Sequence, residues 1–520
     1  MTRTETWNDE SELSRRFTGL LALSQAPLSF FIFFARWCEM SRLVLLAAFF
    51  ARARADFCDA EAPTPFDVTH FGAVGDGITL NTAAIARAIA AASAAASPAS
   101  PQRVLFPGGV FYSGQIVVAS HVTLCVAPSA RLLASSNFSD YPADQTQWVF
   151  LFAEAVSSIG LGGGGIVDGN FRKYVTGYDA EIEQYTWAGW PNCGGECRPR
   201  LVAFHDSVDI AVERITFTGS PDWTFHLLNC SRVLIQDFTQ FGDERWPNND
   251  GVDIDSSSHV LIADSRIDTA DDGVCIKGST IGGRVFNVTV RNTTVRSRSS
   301  AIKFGSNCGI PMSNLLFENI TVQDSNRGLA IQARDGPCDG GFCIEDVTFR
   351  NILVNGTRWW PLKWWGDGSP IYISTMLRSP DDGASGVRNV TFENITAFSQ
   401  GAAVLSGRAP GGNVSGVILR NVNITIDRWP AWNYSSQQGV FPNIEYDPSS
   451  VPLAGPPHNT RVDMTGWMPG LYVERVEGLV LDGVNIAFSS AREPYWGDVC
   501  VNTSAADFPV TVVGGSCVRA

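Results

Sequence analysis

The segment Val390-Thr-Phe-Glu-Asn-Ile-Thr396 occurs in related form at three earlier points of the chain. The related segments are Asn287-Val-Thr-Val290, Leu316-Phe-Glu-Asn-Ile-Thr-Val322 and Val347-Thr-Phe-Arg-Asn-Ile-Leu-Val354. Short β segments that recur roughly every 20 to 30 residues are typical of a parallel β-solenoid, in which each repeat is one coil. Because one coil cannot bury its apolar face alone, we expect the coils to stack around one continuous core.

Counting outward from these segments gives about ten coils between Ile166 and Ile486. Before them, Asn81 begins an Ala-rich stretch that predicts a helix to about Ala96, which would cap the open end. The predicted fold class is therefore all-β, a parallel β-helix with an amino-terminal capping helix. The length alone would suggest about three domains, but the repeats predict a single catalytic domain over 56–520.

The composition and the first residues favour a secreted protein. The net charge of −14 argues against nucleic acid as a partner. Residues 1–55 form a predicted leader with a possible true start at Met40 and a cleavage site after Ala55. The apolar stretch 20–34 is too broken to predict stable membrane insertion. Twelve Asn-X-Ser/Thr sequons fit an extracellular or cell-wall glycoprotein, which we expect to be a monomer.

The cysteines also indicate an oxidising compartment. Short spacings predict loop-closing disulfides within the pairs Cys193/Cys197, Cys338/Cys343 and Cys500/Cys517. Removal of the leader leaves 11 of the 12 cysteines, so at least one thiol stays free, and Cys275 is the candidate. The Cys and His residues have no zinc spacing, and neither a metal nor a cofactor is predicted.

Two acidic clusters lie 22 residues apart, in Asn249-Asp-Gly-Val-Asp-Ile-Asp255 and Asp271-Asp-Gly-Val-Cys-Ile-Lys277. If each repeat is one coil, Asp250 lies one strand spacing, roughly 4.8 Å, from Asp272, with Asp271 beside it. An isolated Asp-Gly is usually only a turn. Five acids that converge on adjacent coils, with Lys277 and Lys303 nearby, favour a function. Repulsion between such carboxylates raises some pKa values and permits a proton donor beside a base.

Aligning the coils by their apolar residues places Val252, Ile254, Val274, Ile276, Ile302 and Ile331 inside and the residues between them outside. One predicted outward row contains Asp255, Lys277, Lys303 and Gln332. Its neighbour contains Asp253, Cys275, Ala301 and Ala330.

Adjacent carboxyl groups can cleave a glycosidic bond if one protonates the leaving oxygen and another activates water. A gap wide enough for that water predicts inversion at the anomeric carbon.

At these residues the chain resembles glycoside hydrolase family 28, the polygalacturonase-like enzymes, as a divergent member. The resemblance runs from about Phe66 to Ser490. It is carried by these motifs: Phe71-Gly-Ala-Val-Gly-Asp-Gly77, Asp168-Gly169, Ser220-Pro-Asp-Trp223 with His226, Asn248-Asn-Asp-Gly251 and Asp271-Asp272-Gly273. It implies a right-handed β-helix, with Asp271 as general acid and with Asp250 and Asp272 positioning and deprotonating water.

The chain departs from the family at two motifs. Ser299-Ser300-Ala301 stands where the family has Gly-His-Gly, and Ala330-Ile331-Gln332 stands where it has Arg-Ile-Lys. The predicted contacts to a pectin-like or other uronate-containing polysaccharide or oligosaccharide are Asn248, Asp253, His226, Lys277, Lys303, Gln332, Arg334, Trp364 and Trp365. The tryptophans are included because flat aromatic faces stack on sugar rings.

Two other functions remain open. A polysaccharide lyase on the same fold would use calcium-binding acids and an Arg or Lys base. A carbohydrate-binding or cell-wall protein would bind without turnover.

Overall fold

A computed structural model describes residues 58, 64–143, 148–180, 183–189, 198–280, 282–334, 338, 341–358, 368–375, 385–407, 412–427, 469–489, 496–504 and 506–517. They belong to one compact unit, Phe57–Ala520. The predicted leader 1–55, Cys193, Cys197, Trp364 and Trp365 lie outside the described residues.

The chain folds as a right-handed parallel β-helix, as expected. Within the described residues, twelve parallel strands form one sheet, here called the site sheet, in which spatial order follows chain order. Its strands are β1 (Ile116–Val117), β2 (Val149–Glu154), β3 (Arg200–His205), β4 (Phe225–Leu228), β5 (Val252–Asp255), β6 (Val274–Gly278), β7 (Ser300–Cys308), β8 (Arg327–Gln332), β9 (Ile371–Ser374), β10 (Ala403–Ser406), β11 (Leu471–Glu474) and β12 (Cys500–Asn502). These strands extend beyond both ends of the range Ile166 to Ile486, in which about ten coils were expected.

In the part of the chain that the structure describes, a second set of 23 hydrogen-bonded strands forms the remaining faces of the coils. All four repeated segments that predicted the solenoid contribute to this set. Its strands are Phe66–Asp67, Gln102–Phe106, Gly109–Ser113, Val122–Val126, Ala130–Ala134, Ser157–Gly162, Ile166–Asp168, Val208–Glu213, Thr216–Thr218, Ser231–Gln236, Thr239–Phe241, Ser258–Ala263, Arg266–Thr269, Val285–Arg291, Thr294–Ser297, Met312–Glu318, Thr321–Ser325, Phe342–Thr357, Gly386–Ser399, Val414–Ile426, Val476–Glu477, Val480–Phe488 and Thr511–Gly515. An antiparallel hairpin, Val175–Asp179 with Gln184–Trp187, lies outside both sets.

The repeated asparagines occupy corners of the coils, where the backbone is left-handed. Asn319 has φ 54° and Asn394 has φ 55°, a conformation that Asn tolerates better than most residues. Their side chains also stack: Nδ2 of Asn319 donates to Oδ1 of Asn292 at 3.2 Å, and Nδ2 of Asn394 donates to Oδ1 of Asn351 at 3.0 Å. The Asn in each repeat therefore serves the turn and the contact between coils.

The predicted capping helix is α1 (Thr82–Ala95), and three short 3₁₀ turns cover Val68–Phe71, Phe138–Asp140 and Phe171–Lys173. The buried face of α1 joins the main core through Ala84, Ile85, Ala88, Ile89 and Ala92. Asn81 occupies the N-cap position, but its side chain does not cap the helix. Its Oδ1 accepts from Val74 N at 2.7 Å, so Asn81 secures the preceding loop instead. No helix in the described part of the chain has the length and apolar composition needed to cross a bilayer.

Two of the predicted disulfides are present, Cys338–Cys343 and Cys500–Cys517. A third bond, Cys58–Cys125, joins residues too far apart in sequence for spacing to reveal it. Cys275 is free, as predicted, and it is buried; Cys230 is also free and buried.

The predicted alignment of Lys303 was wrong by two residues. Ile302 pairs with Val274, which places Lys303 beside Cys275 instead of Lys277. Ala330 then follows Lys303 in that row, and Ala301 does not belong to it. A register irregularity follows between Ile276 and Gly278, where β7 contains additional residues. Both Ile302 and Phe304 are apolar, so a side-chain period of two could not distinguish the two alignments.

Candidate active site

Three carboxylates meet where the chain enters β5 and β6. Val252 pairs with Val274, and Gly251 N donates to Asp272 O at 2.8 Å, so Asp250 lies beside Asp272 on the next coil. One oxygen from each of Asp250, Asp271 and Asp272 lies within 4.8 Å of the others. The structure thus brings together the three acids that the sequence selected.

The glycine after each acid permits this close approach. A Cβ atom on Gly251 would lie 2.1 Å from Gly273 O, and one on Gly273 would lie 2.5 Å from Ala301 O. Any larger residue would force the coils apart at the carboxylates. The two Asp-Gly pairs are therefore required by coil packing as well as by turn formation.

Asp271 is held in a polar environment. Its Oδ1 accepts from Asp272 N at 2.9 Å, and Asn248 Nδ2 lies 3.5 Å from Oδ2. Burial, followed by repulsion from Asp272, raises the pKa of Asp271 to about 6, although Lys303 and Lys277 oppose the shift. A carboxyl group with that pKa can carry a proton in weakly acidic solution.

Asp272 has the opposite character. Its Oδ1 accepts from Ser299 Oγ at 2.7 Å, and its Oδ2 lies 2.8 Å from Lys303 Nζ. Burial alone would raise the pKa of Asp272, but attraction to Lys303 and Lys277 and the hydrogen bond from Ser299 lower it below its ordinary value. Asp272 is therefore the ionised member of the triad.

Asp250 lies between Asp253 and the other two acids. Burial and the charges of Asp253 and Asp271 raise the pKa of Asp250 well above its ordinary value. Lys277 Nζ is shared, at 3.8 Å from Asp250 Oδ2 and 3.4 Å from Asp253 Oδ1. Asp250 Oδ1 is buried and makes no hydrogen bond within the described residues. Burial thus favours the protonated form of Asp250, and one of its oxygens has no hydrogen bond within the described residues.

His226 and Asp253, both predicted substrate contacts, are buried and contact protein groups. His226 Nδ1 accepts from Arg200 Nη1 at 2.7 Å, and His226 Nε2 lies 3.5 Å from Asp255 Oδ2. Burial lowers the pKa of His226 to about 3, which Arg200 reinforces and Asp255 opposes, so the imidazole is neutral. Burial raises the pKa of Asp253 to about 7 against the attraction of Lys277. These side chains support the site from within the protein.

Gln332 and Arg334, also predicted contacts, lie at the end of β8. With the Gln332 amide oriented toward the guanidinium groups, its oxygen accepts from Arg327 Nη1 at 2.7 Å and Arg334 Nη2 at 3.2 Å. Arg327 also stacks on Tyr372, 4.3 Å from its ring centroid. Two arginines thus converge on the position where the family has lysine.

Sequence reasoning missed two residues that shape the acid loop. Asn249 Oδ1 accepts from Ala270 N at 2.7 Å and Asp271 N at 3.2 Å. Arg198 Nη2 donates to Asn248 Oδ1 at 2.8 Å while its guanidinium lies over Trp187 and Trp246. Asn249 could have been identified, because turn asparagines often bond to backbone. Nothing in the sequence marked Arg198.

The three clustered oxygens are chemically suited to a hard cation. The positive charges beside them, however, are the ammonium groups of Lys303 and Lys277. A buried cation at this position would compete with both lysines for the same carboxylates. The arrangement is therefore suited to acid–base chemistry between carboxyl groups with unequal pKa values.

The sequence model named Glycosyl hydrolases family 28 matches residues 97–437. The chain belongs to this family. A protein named probable polygalacturonase from Vitis vinifera is 26% identical over 413 residues, covering 74% of this chain and 80% of the relative. The chain is accordingly a glycosidase of family 28.

Two solved structures share the fold of this chain. An exopolygalacturonase from Thermotoga maritima aligns with a TM-score of 0.56 and 21% identity over 70% of this chain and 87% of that protein. A family 28 exopolygalacturonase from Yersinia enterocolitica aligns with a TM-score of 0.58 and 16% identity over 86% of this chain and 78% of that protein. At these identities the likeness concerns the fold, and this family 28 chain is divergent in sequence.

Proposed function

We propose that the protein is a secreted, monomeric hydrolase of pectin-like or other uronate-containing polysaccharides. The observation that carries this proposal is the unequal triad, in which Asp271 can hold a proton while Asp272 stays ionised. The names of the relatives, polygalacturonase and exopolygalacturonase, support a pectic substrate. The domain that performs the reaction extends over 56–520.

In the proposed reaction, Asp271 protonates the leaving glycosidic oxygen as the bond to the anomeric carbon breaks. Asp272 takes a proton from water, whose oxygen forms the new bond to that carbon. Asp250, whose raised pKa favours the protonated form, positions the water with its unsatisfied oxygen. We assign the base to Asp272 alone, because the raised pKa of Asp250 favours its protonated form, which cannot take up the proton of water.

Asn248 and Arg334 remain proposed substrate contacts, together with Gln332, Trp364 and Trp365. Lys277 and Lys303 extend a long-range positive potential toward a uronate, although their ammonium groups pair with the site acids. His226 and Asp253 are assigned a supporting role because the polar atoms of His226 face Arg200 and Asp255, and Asp253 faces Lys277.

We propose inversion, in which Asp272 activates a water molecule and does not itself attack the anomeric carbon. Carboxyl groups about 5 Å apart usually give retention, and separations of about 6.5–9.5 Å usually give inversion. The nearest oxygens here lie within 4.8 Å, so inversion requires the water to lie beside the cluster. Proton NMR of the first product anomer distinguishes the two courses.

The test is hydrolysis of defined pectic oligosaccharides by wild type and Asp271→Asn, with exposed Asp507→Asn as the matched control. We expect Asp271→Asn to lose about a hundredfold or more in rate, the size typical of general acid catalysis, and the control to lose none. Equal rates in all three proteins would refute the role of Asp271. An unsaturated, ultraviolet-absorbing product that requires calcium would establish a lyase, and binding without products would establish a carbohydrate-binding protein.

A further inference from the structure

Lys303 forms a buried ion pair with Asp272 across adjacent coils. Its Nζ lies 2.8 Å from Asp272 Oδ2, and the two side chains are only 12% and 2% exposed. Because Lys303 stands beside Cys275 in the register, it reaches Asp272 from the neighbouring coil toward the amino end of β6. The contact joins the coil of β6 to that of β7, whereas the triad spans the coils of β5 and β6.

The other oxygen of Asp272 is held by the same strand. Ser299 Oγ donates to Oδ1 at 2.7 Å, and Ser300 N approaches that oxygen at 3.4 Å. Ser299 and Ser300 belong to the segment that replaces Gly-His-Gly, and Lys303 follows three residues later. Donors from one short segment therefore fix both oxygens of this carboxylate.

The surroundings of the pair contain both signs of charge. The titratable and charged groups that face it are Asp250, Asp253, Asp271, Cys275 and Lys277, with Arg327 one coil beyond Ser300. Burial would lower the pKa of Lys303, but Asp272 raises it above its ordinary value. Both partners are thus stabilised in their charged forms.

Lys277 is arranged differently. Its Nζ is shared between Asp253 and Asp250 at 3.4 and 3.8 Å, and it lies 4.4 Å from the centre of the Trp223 ring. These longer contacts spread its charge over two acids with raised pKa values. Of the two lysines, Lys303 is the one in hydrogen-bond contact with an ionised acid.

We propose that Lys303 is a positioning residue that holds Asp272 ionised and oriented to receive the proton of the attacking water. This inference rests on the proposed function. Lys303 itself exchanges no proton: the water proton passes to Asp272, the water oxygen bonds to the anomeric carbon, and Asp271 protonates the departing oxygen. In this chain a lysine thus supports the base at a site where the family's histidine is missing.

The test compares Lys303→Met and Lys303→Arg with wild type, and exposed Lys173→Met serves as the control for loss of a lysine. Removing the charge raises the pKa of the base, so the acidic limb of the kcat/KM profile should move to higher pH. We expect kcat to fall about a hundredfold with KM changed less than threefold. Lys303→Arg should retain the wild-type limb and recover part of kcat, and Lys173→Met should match wild type.

Lys303→Gln carries the same test if Lys303→Met does not fold, because it keeps a hydrogen-bond donor. An unchanged acidic limb in the neutral variants, or a loss confined to KM, would overturn the inference. Unfolding provides a readout that needs no substrate. The pKa of Asp272 is lower in the folded state than in the unfolded chain, so the ion pair stabilises the fold fully above the unfolded pKa. This stabilisation is lost as pH falls through the folded pKa. Lys303→Met should therefore lose more stability at pH 7 than at pH 4.

The two proposals fail separately. If wild type cleaves no glycan, the proposed function is refuted, and equal losses of stability at both pH values would refute ionisation of Asp272 by Lys303. If wild type hydrolyses its substrate and the neutral variants keep its rate and profile, only the inference about Lys303 is refuted.

Discussion

The guanidinium of Arg198 donates a hydrogen bond to Oδ1 of Asn248 at 2.8 Å, which fixes the amide with its Nδ2 toward Asp271. An arginine can only donate, so it must contact the oxygen of the amide and not the nitrogen. Arg198 Nη1 also donates to Pro247 O at 2.9 Å. A single side chain thus orients the loop beside the proposed general acid.

Replacing Arg198 with lysine should impair this orientation while keeping the charge, because an ammonium group cannot reproduce the planar pair of donors. We expect kcat to fall about tenfold with little change in KM. The alkaline limb of the pH–rate profile should move to higher pH, because the carboxylate of Asp271 loses a hydrogen-bond donor and its pKa therefore rises. The measurement is the pH dependence of kcat and kcat/KM.

The control for that variant is Arg232→Lys, which alters an arginine in an exposed pair with Asp209. It should behave as wild type. A loss confined to KM, or an alkaline limb that does not move in Arg198→Lys, would contradict the positioning role.

Asp271→Asn should stabilise the protein at neutral pH. The folded pKa of Asp271, about 6, exceeds its ordinary value of 3.8, so the folded state binds this proton more tightly than the unfolded chain. The free energy of unfolding therefore falls as pH rises from the ordinary pKa of 3.8 to the folded pKa of about 6, and it stays reduced at higher pH. Neutralising the residue should recover on the order of 2 kcal/mol at pH 7 and little at pH 4. Urea unfolding at both pH values measures the difference.

In the same experiment the exposed carboxylate variant Asp507→Asn should change stability by less than about 0.5 kcal/mol at either pH. An Asp271→Asn protein less stable than wild type at pH 7 would show that the charged carboxylate stabilises the fold.

Restoring the family lysine with Gln332→Lys should destabilise the protein. The new ammonium would lie between Arg327 and Arg334, where the amide oxygen now accepts from both guanidinium groups. Gln332 is only 4% exposed, so we expect a loss on the order of 2 kcal/mol. Thermal unfolding is the measurement. Gln332→Glu, which keeps an acceptor of the same size, should remain at least as stable; equal stability of the lysine variant would disprove this account.

The sequence was sufficient for the fold because its repeats carry the coil-to-coil contacts directly. The stacked asparagines and the alternating apolar residues are local signals, and Asp250 and Asp272 follow from the same spacing. The position of Lys303 was not predictable, because Ile302 and Phe304 are both apolar and either could be aligned with Ile276. Arg198 was missed because its partner Asn248 lies 50 residues away.

Because neighbouring coils are paired in a parallel register, the loops at the corners can change without moving the catalytic residues. Asp250 precedes Asp272 by 22 residues and Asp272 precedes Ser300 by 28, yet both pairs lie on neighbouring coils. The distance between such residues is set by hydrogen bonds between strands and is independent of how much chain the corner contains. Insertions at corners can therefore reshape what reaches the acids without displacing them, so selection can alter glycan preference while bond cleavage is preserved.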